Sequence, residues 1–106
     1  MRASDALRQS ADNLICQETC NGLVTIFLET GGGNASAEPF HLRFVPRDAD
    51  GLFNSWGTVM AGSYGDLESA LAAAAEKYGA GEGGGWSPIT AEDLPKGGHG
   101  PPPFDR

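Results

Sequence analysis

Two segments with the alternating pattern of β-strands dominate the sequence and limit the folds that the chain can adopt. Leu23–Glu29 and Phe40–Val45 are rich in β-branched and aromatic residues. The polar, glycine-rich segment Gly31–Glu38 between them favours a loop, so the two strands are expected to pair antiparallel. One face of this pair carries an apolar row that can form a core: Val24, Ile26, Leu28, Phe40, Leu42 and Phe44.

Two helices and a third strand are predicted around this pair. Ser4 can cap a helix over Asp5–Gln17, where apolar residues recur at helical spacing. A third strand is expected within Ser55–Ser63, although two glycines weaken it or mark a bulge. The strongest helix signal covers Asp66–Tyr78, because an apolar stripe runs along it, alanines favour it and a glycine follows it. The predicted fold is α+β: a three-stranded antiparallel β-meander with two helices on one face, in the order α-β-β-β-α.

The C-terminal part of the chain differs in composition from the rest. The last 27 residues contain 7 of the 16 glycines and 5 of the 7 prolines. A compact domain is therefore expected over residues 1–79, followed by a Gly/Pro-rich tail over residues 80–106 with little regular structure. Trp86 and Ile89 can dock part of this tail on the domain, and Thr90 can begin a short helical turn.

The sheet face that the helices leave open is too apolar to be an ordinary solvent-exposed surface. It requires a cover, which Trp86 and Ile89, a partner or a second copy of the chain could provide. The protein is accordingly expected to be a monomer, or a homodimer that associates through this face. The residues of the face are Leu23, Thr25, Phe27, His41, Arg43 and Val45.

The charge balance narrows the classes of partner. The chain has 14 acidic and 7 basic residues, and the acidic residues are spread along its length. Direct binding to nucleic acid is not expected, because affinity for phosphates requires clustered Lys and Arg. A protein with a basic surface would instead be attracted. The longest mainly apolar run, Leu23–Leu28, is too short to span a bilayer, and no signal-peptide pattern precedes it, so a soluble cytoplasmic protein is expected.

Two motifs suggest chemistry, and neither is complete. Glycines precede the second helix as in a phosphate-binding loop, but Asp66 and Glu68 would repel a phosphate there. Cys16 and Cys20 could supply two ligands to a zinc ion, with His41 and His99 as the others. The second short-spaced ligand pair of a typical zinc site is absent, which favours two reduced cysteines near the end of a helix. No cofactor and no catalytic residue are predicted.

The remaining candidates are residues that could contact a partner. Acidic turn residues next to aromatic ones are common at protein interfaces, and a second acidic group flanks small alanines on the second helix. The candidates are Asp48, Asp50, Phe53, Trp56, Glu68 and Glu76.

These observations favour a non-catalytic acidic binding protein. In size, charge and the absence of an active-site motif, the chain resembles the small acidic inhibitors of phages and mobile elements, which include anti-CRISPR proteins. The resemblance implies a protein that docks on and inhibits or modulates a larger protein with a basic, nucleic-acid-handling surface. The alternatives are an immunity- or antitoxin-type protein, and a small zinc-binding accessory domain that uses Cys16 and Cys20.

Overall fold

The computed structural model describes residues 1–30, 37–54, 57–81 and 84–94. These residues form an antiparallel sheet of five strands with two helices packed on one face. The elements in chain order are α1 (Ala3–Gln9), β1 (Leu14–Glu18), β2 (Gly22–Leu28), β3 (Phe40–Pro46), β4 (Val59–Tyr64), α2 (Leu67–Tyr78), β5 (Ser87–Ile89) and a 3₁₀ turn (Ala91–Asp93). The strands lie in the order β4-β3-β2-β1-β5.

The N-terminal helix is shorter than the helix predicted over Asp5–Gln17, because α1 ends at Gln9 and the chain continues as β1. The Ser10 hydroxyl fixes this change of direction. It accepts a hydrogen bond from the Leu14 amide at 3.0 Å and donates one to the Ile89 carbonyl at 2.9 Å. Since β1 pairs with β2 on one side and β5 on the other, its backbone groups are satisfied by two strand ladders. The predicted three-stranded meander is therefore corrected to a five-stranded antiparallel sheet.

The segment after α2 contributes to both faces of the sheet. Trp86 is only 1% exposed and belongs to the core beside the two helices. Its indole N–H donates to the Gly81 carbonyl at 2.7 Å. Ile89 lies opposite Leu14 on the other face. Of the possible covers for the open face, Trp86 is therefore ruled out, whereas Ile89 does lie there. The predicted division at residue 79 stays a prediction, and residues 95–106 of the predicted tail lie outside the described residues.

The helix-side face of the sheet carries the core that the alternation of β2 and β3 predicts. Val24, Ile26 and Leu42 are fully buried, and the ring of Phe44 stacks on Tyr78 of α2 with centroids 4.2 Å apart. Helix residues with small side chains allow α1 and α2 to approach the sheet closely. The buried alanines of the core are Ala3, Ala6, Ala70, Ala73, Ala74 and Ala80.

Capping explains the bounds of α2, which lies where the sequence predicts a helix. The Asp66 carboxylate accepts a hydrogen bond from the Ser69 amide at 2.7 Å, which satisfies a backbone donor of the first turn. Gly79 follows the helix in the left-handed conformation, with φ of 74°. In the described part of the chain, neither helix is long and apolar enough to cross a membrane.

A bulge in the edge strand β4 sets which of its side chains face the open side. Leu42 pairs with Gly62, but the next residue, Arg43, pairs with Met60, so Ala61 is the extra residue. Gly62 has a φ of 143°, which side-chain-bearing residues rarely adopt. Met60, rather than Ala61, consequently stands beside Arg43 on the open face.

Candidate functional site

An apolar groove lies on the open sheet face of the described chain. It has a volume of about 300 Å³ and lies over β1, β2, β3 and β4. Leu14 and Thr25 are buried at its floor, whereas Phe27 and Met60 are 40% and 65% exposed. This open-face groove is lined by Asp12, Leu14, Thr25, Phe27, His41, Arg43, Met60 and Leu94.

Arg43 is the cationic group of this groove, and its guanidinium is incompletely satisfied. Its Nε atom is buried and has no hydrogen-bond partner among the described residues. Two other arginines are paired with carboxylates: Arg8 with Asp5, and Arg47 with Glu18 at 2.9 Å. A buried donor without an acceptor is costly, particularly on a charged group. Arg43 therefore places a positive charge at the groove, and one of its donors has no acceptor in the described part of the chain.

His41, beside Arg43 on the groove wall, joins a chain of three polar side chains. Its Nδ1 lies 2.8 Å from the Ser63 hydroxyl, and its Nε2 lies 3.1 Å from the Glu29 carboxylate. A serine, a histidine and a carboxylate in this order can activate a nucleophile. Ser63, however, does not line the groove, so the groove does not hold a substrate against its hydroxyl. Sequence reasoning missed this array, because its members come from three separate segments with no shared motif.

The predicted partner residues of the β3–β4 connection are largely engaged within the chain. The Asp48 carboxylate accepts hydrogen bonds from the amides of Asp50 and Leu52 at 2.9 and 3.1 Å, which closes the predicted turn. The Arg47 guanidinium lies over the Phe53 ring, 4.4 Å from its centroid. Asp50 is exposed at the tip of the turn. Asp48 and Phe53 therefore shape the loop, and Trp56, the fourth candidate in this region, lies outside the described residues.

The same loop borders a second and more open cavity on this side of the sheet. This cavity has a volume of about 730 Å³, and its lining includes Leu23, Leu52, Phe53 and Cys16. The loop thus covers one end of the open face, and Leu23 beneath it is 4% exposed. The loop therefore provides part of the cover that this apolar face was expected to need.

The two helix candidates, Glu68 and Glu76, lie on the opposite side of the sheet from this loop. Both are exposed on α2, and the exposed Ala72 stands between them at a spacing of four residues from each. Residues at this spacing share one ridge of a helix. The structure therefore groups Glu68 with Glu76, and it separates both from Asp48, Asp50 and Phe53.

The cysteines are not placed for the predicted zinc alternative. Cys16 is half-buried in β1 and Cys20 is exposed in the turn that follows, so neither lies near the end of a helix as expected. Cys16 is level with Arg43, two strands away, and His41 lies two residues further along β3. Neighbouring strands are about 4.8 Å apart, so Cys16 and His41 are separated by roughly 10 Å across the sheet, more than two zinc–ligand bonds of about 2.3 Å can span. In the described ranges, no three His, Cys, Asp or Glu residues could share a metal ion, and His99 lies outside them.

The environment of Cys16 also makes it a weak nucleophile. Burial raises the pKa of the Cys16 thiol, and the neighbouring Glu18 carboxylate raises it further. The thiolate is the reactive form of cysteine. Cys16 is therefore held as a thiol near neutral pH.

Comparisons with known protein families, with curated proteins and with solved structures find no match to this chain.

Proposed function

We propose that this protein is a non-catalytic acidic binding protein of the cytoplasm. It docks on the basic, nucleic-acid-handling surface of a larger protein and inhibits or modulates that protein. The observation that carries the proposal is the acidic ridge of α2, defined as Glu68, Ala72 and Glu76, on a chain with a net charge of −7.

The acidic ridge is rigid and accessible. Its two carboxylates are eight residues apart, which corresponds to about 12 Å along a helix. The opposite side of α2 packs into the core, so the helix cannot rotate the ridge away from solvent. Ala72 has a small side chain, so a partner can approach the helix backbone between the two carboxylates. The Lys77 ammonium donates to the Ala61 carbonyl on β4 at 3.3 Å, which holds this cation at the sheet edge.

The charge of the protein supports a basic partner. Excess negative charge attracts a basic surface before contact and raises the association rate. Proteins that handle nucleic acids present such surfaces, because they bind phosphates through clustered Lys and Arg. A small acidic domain that occupies this surface would compete with the nucleic acid. An immunity- or antitoxin-type protein would use the same contact, and the identity of the partner distinguishes the two.

The test begins with capture of the partner by tagged protein from a nuclease-treated lysate of the source organism. The captured protein is then purified, and its dissociation constant is measured by biolayer interferometry at about 50 and 500 mM NaCl. Wild-type protein is compared with Glu76→Lys on the ridge. Glu92→Lys, in the 3₁₀ turn, is the matched control, because it changes the net charge by the same amount at another exposed position.

We expect Glu76→Lys to weaken binding by about tenfold at low salt, and Glu92→Lys to weaken it by about twofold or less. High salt should weaken binding of the wild type. Equal effects of the two variants would show that net charge alone matters and would remove the ridge from the proposal. Binding that neither salt nor charge reversal changes would contradict the electrostatic mechanism.

A further inference from the structure

We propose that the open-face groove binds a small monocarboxylic acid with an apolar body, and that Arg43 holds its carboxylate. This site is separate from the acidic ridge, and it lies on the other face of the sheet. Three features of the groove point to this ligand: its shape, its apolar walls and the Arg43 Nε atom that has no acceptor among the described residues.

The apolar part of the groove is suited to a small ring or a branched aliphatic group. Leu14 and Thr25 form a buried floor, whereas Phe27 and Met60 remain exposed although both are large and apolar. A volume of about 300 Å³ equals that of about ten molecules of liquid water. It is also at the lower end of the range for ligand pockets. The groove thus fits one compact group of about ten non-hydrogen atoms.

The β4 bulge supplies the wall that places this apolar group next to the cation. Without the bulge, the residue opposite Arg43 would be Ala61, whose side chain is a single methyl group. The bulge puts Met60 there instead. Methionine is flexible and polarisable, and it adapts to ligands of different shapes. The bulge therefore determines the apolar wall beside Arg43.

Arg43 determines the charge of the ligand. Its buried Nε has no acceptor in the described part of the chain. A guanidinium presents its N–H groups as a planar fork that matches the two oxygens of a carboxylate. The other ring on the wall, His41, already has both nitrogens occupied by Ser63 and Glu29, so it does not compete for the anion.

The surrounding charges restrict the ligand to a single negative charge. Asp12 lines the groove and Glu29 stands behind His41, so a second carboxylate on the ligand would meet like charges. A second copy of the chain is a poor occupant, because two molecules of net charge −7 repel each other.

The test uses phenylacetate as the probe and phenylacetamide as its neutral counterpart of the same size and shape. Each is titrated into ¹⁵N-labelled full-length protein in about 150 mM NaCl at neutral pH, and amide shifts are followed by NMR. Arg43→Gln removes the cation, Arg43→Lys keeps it, and Arg8→Gln is the control, because Arg8 is exposed on α1. The comparison of acid with amide on wild-type protein does not depend on how a variant folds.

We expect phenylacetate to shift the amides of the groove strands with a millimolar dissociation constant, and phenylacetamide to bind at least about fivefold more weakly. Arg43→Gln should remove this preference for the acid, whereas Arg43→Lys should keep part of it and Arg8→Gln all of it. Equal binding of acid and amide, shifts confined to other surfaces, or an unchanged preference in Arg43→Gln would overturn the proposal. Amide shifts in the groove that depend on protein concentration without a probe would also overturn it, because they would assign the face to self-association.

Discussion

Replacement of Trp86 by alanine is expected to destabilise the whole domain, although the composition of the C-terminal segment predicts a tail. Trp86 is 1% exposed and contacts a core that includes residues of both helices. Its backbone amide donates to the Met1 carbonyl at 3.1 Å, and its indole donates to the Gly81 carbonyl at 2.7 Å. Trp86 therefore anchors the segment after α2 in the core, and its backbone links this segment to Met1.

The expected loss of stability follows from the area that the indole buries. A buried aromatic side chain removes about 200 Å² from water, which corresponds to about 5 kcal/mol at ~25 cal/mol per Å². Because unfolded chains already bury part of this area, ~4 kcal/mol is a better expectation for Trp86→Ala, in line with the usual cost of such changes. Domains of this length have free energies of unfolding of about 5–15 kcal/mol. The variant should therefore be marginally stable.

Urea denaturation followed by far-UV circular dichroism measures this loss, because the signal does not depend on the tryptophan that is removed. Leu52→Ala is the control, because Leu52 is 52% exposed and its truncation should cost well under 1 kcal/mol. Trp86→Phe should give an intermediate loss of ~2 kcal/mol, since it keeps a ring and loses the hydrogen bond to Gly81. If Trp86→Ala unfolds at the same urea concentration as Leu52→Ala, the reasoning that places Trp86 in the core is refuted.

Two further predictions concern titratable groups. Hydrogen bonds from the backbone and the side chain of Ser69 lower the pKa of Asp66. The Asp66 cap therefore stabilises α2 fully at pH values above the ordinary pKa of an aspartate, near 4. This stabilisation is lost as the pH falls through the lower pKa of the folded state. Asp66→Ala should therefore have a lower urea midpoint than wild type at neutral pH, and the difference should close in strong acid; a difference that is constant with pH would contradict this sign. Because burial and Glu18 raise the pKa of Cys16, iodoacetamide at mildly alkaline pH should modify the exposed Cys20 at least about tenfold faster, as measured by peptide mass spectrometry. Faster modification of Cys16 would refute the burial argument.

The elements that the sequence predicts well are those with local signals. α2 has a capping aspartate at Asp66, an alanine-rich interior and a glycine after its end, and all of these act within one segment. β2 and β3 are each long enough for their alternation to be read, and their observed bounds differ from the predicted ones by one residue. These elements also supply about half of the buried core residues.

β1 and β5 could not be predicted in the same way, because each is defined by pairing with other strands rather than by its own sequence. Leu14 and Ile15 fit a helical stripe as well as a strand, and no local signal separates the two. The helix is excluded by pairing of β1 with the neighbouring β2 and with β5, more than 70 residues along the chain. β5 has three residues and includes Pro88, and a proline argues against a strand except at a sheet edge, where β5 lies. Only the assembled sheet identifies both strands.

The open-face groove could be predicted only in part for a related reason. Alternation of β2 and β3 places Phe27, His41 and Arg43 on one face, so the apolar and cationic character of the surface follows from the sequence. The walls of the groove come from Met60, which a one-residue bulge positions, and from Leu94, which follows β5 in the chain. A shift of one residue in β4 would exchange a methionine for an alanine beside Arg43, and no local pattern fixes that register.

The two proposed surfaces are physically independent. The acidic ridge stands on α2, with the buried core and the sheet between it and the open-face groove. Effects of substitutions at such separated positions usually add without coupling. The negatively charged ridge attracts a basic partner, whereas Arg43 in the groove attracts an anion although the chain as a whole is negative. The two surfaces therefore bind ligands of opposite charge. Failure of the carboxylate probe would therefore leave the acidic binding function standing, and a partner that ignores the ridge would leave the groove as a ligand site.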